Sequence, residues 1–226
     1  MNLLKSNFSG RNSVELVYLI YYFSLGCNFS MIKKLTRCTN YNMKIFQNAI
    51  LEVINSYVEE NKEMIGGKDM IVEVDESFVG KRKYNIGRTG NQKIILGGVC
   101  RSTKKFFMKI ITNRNKKTIE EEILKHIHPQ TTIYTDQWSS YIYFFKENNT
   151  FNHQYVNHKL HFVDPITKTH TQNVESLWAS FKKFKRSKQY FKQEKLDLYI
   201  SEYFIRKKFE GDDFLLFLFL IKLIFK

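Results

Sequence analysis

Three acidic side chains stand where carboxylates can do chemistry. Asp75 interrupts the apolar stretch Met70 to Val79 (MIVEVDESFV), on the strand face it shares with Ile71 and Glu73. Asp136 directly follows the apolar segment IYT, where the carboxyl end of a strand opens into a loop. Glu175 lies in THTQNVESLWASFKKFK, near the start of a helix. Hard divalent cations take oxygen ligands, and two of them roughly 3.5–4 Å apart can activate water and stabilise the leaving oxygen of a phosphodiester. A carboxylate inside an apolar strand also needs compensation, which a metal ion supplies. Taken singly, the three have plainer explanations: an edge-strand charge, a turn or cap residue, and a solvated helix face. Taken jointly, with the basic charge and the strand order, they favour a two-metal site.

Cations cluster near these acids. Lys182 is seven residues beyond Glu175, two turns of helix, and so returns to the same face. It opens the run Lys182, Lys183, Phe184, Lys185, Arg186, Ser187, Lys188. That run reads as a DNA-backbone tract, a nuclear localisation signal or a solvated helix end, with backbone contact favoured. Lys81, Arg82, Lys83 and Arg88 fall in the turn-rich KRKYNIGRTG after the Asp75 strand, which reads as a grip on substrate phosphates or as a plain exposed loop. Trp138, two residues past Asp136, is open to stacking on a base or to packing in the core. His158, His161 and His170 match no common zinc spacing and have no cysteine partner, so they read as surface or hydrogen-bonding histidines.

The elements that must position these residues are of two kinds. Helical patterns cover Ser13 to Leu25, a short segment capped by Ser30 through Leu35, and a longer one capped by Thr39 or Asn40 through about Glu60. This is the outline of a helix-turn-helix, although an ordinary helical bundle fits the same pattern. The polar KEMIGGK, Lys62 to Lys68, separates a helical region 1–66 from a second region 67–226. Strands are expected over Met70 to Val79, Lys93 to Cys100, Phe106 to Thr112 and Thr131 to Tyr134, the last ending at Asp136. A helix from Thr118 to Ile127 has Thr118 and Glu121 at capping-box spacing and Pro129 beyond its end. Three strands, a helix, a strand and further helices describe a mixed α/β layer fold.

Composition narrows the function. The 226 residues carry 36 Lys+Arg against 22 Asp+Glu, a net charge of +14, which points first to nucleic acid and second to an anionic membrane surface. Apolar residues at 43% and aromatics at 15% exclude a disordered or collagen-like chain. Cys27, Cys38 and Cys100 offer neither a disulfide framework nor a CxxC pair, which suits a reducing compartment. Residues 2–11 show no secretory signal, and the 12-residue run Phe214 to Phe225 is too short to span a membrane, which needs about 20 residues. A soluble chain with a packed C-terminal helix is expected.

The same residues carry a family resemblance. VDESFVG, GRTGNQK, LGGV, IYTDQWSSY, VNHKLHFVD, THTQNVESLWASFK and YISEYFIRKK follow one another as in Merlin-type DDE transposases, relatives of bacterial insertion-sequence transposases with an ISXO2-like domain. The resemblance covers roughly Val72 to Phe209. It implies a ribonuclease H-like mixed sheet with flanking helices and a catalytic triad on Asp75, Asp136 and Glu175, with two Mg²⁺ (or Mn²⁺) per site. The triad spacings are 61 and 39 residues, and Lys182 falls where the family's phosphate-binding lysine does. Asp164 and Asn173 stand as alternatives to Glu175, because some bacterial relatives use another residue in the third position. His158 and His170 are implied as auxiliary groups flanking the site. The implied activity is cleavage and strand transfer at transposon ends by a homo-oligomer, with terminal inverted repeats and target DNA as partners and no membrane. Location would be the nucleus if the source is eukaryotic, otherwise the cytoplasm. Many bacterial relatives carry a cysteine zinc ribbon that this sequence lacks, which leaves end recognition to residues 12–60. The alternative is a non-catalytic DNA-binding protein derived from a transposase.

Overall fold

A computed structural model of the chain describes residues 12–80, 92–157, 164–165, 169–188 and 192–225. In chain order its elements are α1 (Asn12–Ser24), α2 (Phe29–Thr36), α3 (Asn40–Glu60), β1 (Ile71–Val79), β2 (Lys93–Cys100), β3 (Phe106–Ile111), α4 (Lys116–His126), β4 (Thr132–Asp136), α5 (Ser139–Glu147), β5 (Asn152–Val156), α6 (Gln172–Ser187), a 3₁₀ turn (Gln193–Lys195), α7 (Leu196–Lys208) and α8 (Asp213–Phe225). Contacts divide the chain into two units, Met1–Lys62 with Phe184–Lys226, and Glu63–Lys183. The first unit holds both the amino-terminal and the C-terminal helices.

In the helical unit, Leu16, Leu19, Ile20 and Phe23 recur at helical spacing along α1 and pack with Ile32, Phe46, Ile50, Leu220 and Ile224. Asn28, not the expected Ser30, caps α2. Its backbone is extended and its Oδ1 accepts the Met31 N–H at 2.9 Å, whereas Ser30 already lies inside the first turn. Thr39 caps α3, accepting from the Asn42 N–H at 3.1 Å. Between them Arg37 takes the left-handed conformation (φ 55°), so an eight-residue helix, a short turn and a longer helix follow one another as in a helix-turn-helix. Arg206 of α7 donates to Glu202 Oε1 at 2.8 Å and to the Phe23 carbonyl at 2.8 Å, setting a cation on the last turn of α1.

The second unit holds a five-stranded sheet of order β3-β2-β1-β4-β5. β1, β2 and β3 pair antiparallel, while β4 and β5 join β1 in parallel. This is the expected mixed sheet with flanking helices. Val72, Val74, Leu96 and Ile133 bury one face against Ile119 and Ile123 of α4 and Tyr141 and Phe144 of α5. β5 was not anticipated: NHQYV lacks apolar alternation, and its place comes from pairing with β4. α4 begins at Lys116, before the expected Thr118, because Asn115 accepts the Thr118 N–H at 2.9 Å and takes over as cap. No described helix is long and apolar enough to cross a membrane.

Candidate active site

Parallel pairing of β1 with β4 runs Ile71–Thr132, Val72–Ile133 and Glu73–Tyr134, an offset of 61 residues. Asp75 and Asp136 are separated by the same 61 residues. Continuing the register by two positions sets them abreast on neighbouring strands and on one face of the sheet. The ladder itself stops at Glu73–Tyr134, while β1 continues along β2 to Val79. The chain leaves β1 toward β2 on one side and β4 lies on the other. The carboxyl ends of these two parallel strands therefore form a switch point, the place where open α/β sheets bind ligands.

Both carboxylates accept N–H bonds, and the Glu76 backbone adds one to Asp75. The Trp138 backbone N–H donates to Asp136 Oδ1 at 3.0 Å, and the Trp178 indole N–H to Asp75 Oδ2 at 3.1 Å. Room for the indole comes from Gly97, the register partner of Asp75, where a Cβ would meet Trp178 Cη2 at 2.5 Å. Burial raises the Asp75 pKa from 3.8 to about 7, with the charges of Glu76 and Asp136 adding to it and the Trp178 bond opposing it. The ionised neighbours that act on Asp75 are thus both negative. Two neighbouring half-buried carboxylates in a negative field fit a divalent cation.

α6 is pinned to this strand by Glu73, two residues before Asp75 on the same face and fully buried. Glu73 accepts from Arg101 Nε at 2.7 Å, from the Asn173 side-chain amide at 2.7 Å, and from the Asn173 and Val174 backbone N–H groups at 2.7 and 3.1 Å. A carboxylate on the first amides of a helix answers both their missing partners and the helix dipole. Arg101 also donates to the His170 carbonyl at 3.0 Å, and His170 Nδ1 lies 3.5 Å from Glu73 Oε1. Burial and the Arg101 charge lower the His170 pKa. His170 thus belongs to the anchor.

Glu175 is in the first turn of α6, with the Thr171 hydroxyl donating to it at 3.3 Å. It precedes Trp178 by three residues and shares its helix face, the one that reaches Asp75. Among the described residues no three His, Cys, Asp or Glu side chains are grouped to hold a metal ion. The structure therefore brings Asp75 and Asp136 together and leaves Glu175 on the neighbouring helix, outside such a group. Of the two alternatives, Asn173 is committed to Glu73, and the Asp164 backbone N–H bonds the Thr169 carbonyl at 2.9 Å.

Lys182, Lys183 and Arg186 are exposed on α6 and Lys185 is half-buried. Lys188 turns inward to Glu202 at 2.5 Å. Lys81, Arg82, Arg88 and His158 lie outside the described residues. Sequence reasoning singled out neither Glu73 nor Glu76 as functional, although three acids in one nine-residue apolar strand were the available signal. Glu76 points to the opposite face, where Arg114 Nη2 donates to it at 3.0 Å. Burial raises its pKa against the pull of Arg114.

The family model described as the ISXO2-like transposase domain matches residues 64–207. Among solved structures, the chain is similar to one in the cryo-EM structure of the simian T-cell lymphotropic virus intasome in complex with PP2A regulatory subunit B56 gamma, at 9% identity with a TM-score of 0.40. That similarity covers 83% of this chain and 65% of that one, so this chain spans less than two thirds of that protein's length. None of the curated proteins matches the chain.

Proposed function

This chain belongs to the ISXO2-like transposase domain family, and we propose that it is a DDE-type transposase that cuts DNA at transposon ends and joins them to target DNA. The carrying observation is the pair Asp75, in the middle of β1, and Asp136, at the carboxyl end of β4, with a spacing equal to the register offset of the two strands. These two carboxylates would hold Mg²⁺ or Mn²⁺, with Glu175 from α6 as the third ligand. Two such ions, when bound, supply an activated water and neutralise charge on the scissile phosphate. The chain's own groups orient the ligands: Trp178 holds Asp75, the Trp138 amide holds Asp136, and Glu73 fixes the helix that carries Glu175. Commitment of the Asn173 amide to Glu73 favours Glu175 over Asn173 in the third role.

Asp75 must give up its proton to act as a ligand, so its pKa of about 7 sets activity rising through neutral pH. Lys182 and Lys183, exposed beyond Glu175, support a phosphate-gripping face on α6. Hydrolysis at an element's end frees a 3′-hydroxyl. That hydroxyl then attacks a target phosphodiester and expels the adjoining target 3′-oxygen, so one bond forms as one breaks. Residues 1–66 are proposed to read the terminal repeats, with Asn40, Tyr41 and Lys44 exposed near the start of α3. Homo-oligomeric action on paired ends belongs to the same proposal.

The test is nicking of supercoiled plasmid by the full chain in Mg²⁺ or Mn²⁺, beside EDTA. Metal-dependent nicking lost in Asp75→Asn, Asp136→Asn and Glu175→Gln supports the reading. Near-parental cleavage by any one variant removes that residue from the triad. Salt-sensitive DNA binding with no nicking by the parent points instead to a non-catalytic DNA-binding protein.

A further inference from the structure

Beside Asp136, around Arg114, two large rings stand in water. Trp138 is 42% and Phe78 46% exposed, whereas Trp178, the second tryptophan, is 5% exposed. Arg114 lies between the two rings, its guanidinium carbon 4.2 Å from the Trp138 centroid and 5.8 Å from that of Phe78. The arginine is fixed from beneath: its Nη2 donates to buried Glu76, and its carbonyl accepts the Ser140 hydroxyl at 2.8 Å. Both rings come from the segments that carry the aspartates. Phe78 is three residues past Asp75, on the Glu76 face of β1, and Trp138 is two past Asp136 with its amide on that carboxylate, so the cluster meets the aspartates at Asp136.

Leaving a tryptophan and a phenylalanine half in water forfeits hydrophobic stabilisation. The Trp138 side chain makes no capping bond to α5 that would account for its place. Flat π surfaces flanking a planar cation match the face of a nucleobase with its phosphate attached. Stacking on an aromatic ring tolerates any base, and an arginine adds cation–π and phosphate contact. Inside a duplex each base face is already covered by its neighbours, so only an unstacked base can use these rings. We infer that Trp138, Phe78 and Arg114 form a stacking site for an unpaired nucleobase next to the phosphodiester bound at Asp75 and Asp136. The substrate is then DNA opened at the cleavage position. This inference rests on the transposase reading and adds the state of the DNA to it.

The experiment uses the full chain in EDTA with two labelled duplexes of one sequence, one blunt and one ending in a short unpaired 3′ tail. Anisotropy reads binding, and tryptophan emission reads stacking, because Trp138 is exposed and Trp178 is not. The tailed duplex is expected to bind about tenfold more tightly than the blunt one and to quench the emission. Trp138→Leu should lose both effects, Trp138→Phe should recover the tail preference, and Phe78→Leu should weaken it. Equal binding of the two duplexes by the parent, or a tail preference that survives in Trp138→Leu, overturns the site. Metal is absent, so the result does not depend on cleavage. Tail preference without nicking removes the transposase reading alone, and nicking without tail preference removes the base site alone.

Discussion

Replacing Asp75 by asparagine exchanges catalysis for stability, and structure and pH together set the size of the exchange. Asparagine keeps an oxygen to accept the Trp178 indole N–H and removes the buried charge. In the folded chain Asp75 titrates at about 7, against 3.8 when unfolded. Below 3.8 both states are protonated and the ionisation penalty is absent. As pH rises from 3.8 toward 7 the unfolded chain ionises first, so stability falls. Above 7 both states are ionised and the whole penalty is present. At about 1.36 kcal/mol per pH unit, Asp75→Asn should stabilise the metal-free protein by about 4 kcal/mol at pH 8 and by about 2 kcal/mol at pH 5. Urea unfolding of parent and variant in EDTA at the two pH values measures this. Saturating Mg²⁺ should then restore the parent, by about 2.7 kcal/mol at a hundred times its Kd, and leave the variant unmoved. An equal gain at both pH values, or a loss at pH 8, refutes the reasoning.

Three further outcomes follow from the same contacts. Glu73→Ala strands the half-buried Arg101 and the first amides of α6, and a lowered thermal midpoint corresponding to about 3–5 kcal/mol is expected, with Glu73→Gln less affected. Gly97→Ala forces the Trp178 ring off Asp75; a cost of about 1–3 kcal/mol by urea unfolding and a changed near-ultraviolet dichroism of the indole should appear together. Lys182→Ala and Lys183→Ala should each weaken binding to unrelated DNA sequences alike and lower the slope of log K against log salt by about one, read by anisotropy between low and moderate salt.

Much of the site was legible because its residues break local rules. An aspartate in an apolar strand and another at a strand's end are conspicuous in the chain itself, and the 61-residue spacing gains its meaning once β1 and β4 pair at that offset. The partners of these acids were not legible. Glu73 reads as one more charge on the Asp75 face until α6 arrives from a hundred residues away. The two glycines of LGGV mark a strand, and the reason for the first is a ring brought in by α6. Short-range choices misled where two residues could serve: Asn28 and Ser30 both suit a cap, as do Asn115 and Thr118, and backbone geometry decided. β5 was missed because polar NHQYV owes its strand to a neighbour.

Binding of Mn²⁺ to the DNA-free protein, followed by electron paramagnetic resonance at pH 8, tests the aspartate pair most directly. Saturable Mn²⁺ binding in the parent that is lost in Asp136→Asn and in Asp75→Asn is the predicted result. Equal binding by parent and both variants would contradict the assignment of Asp75 and Asp136 as the metal site.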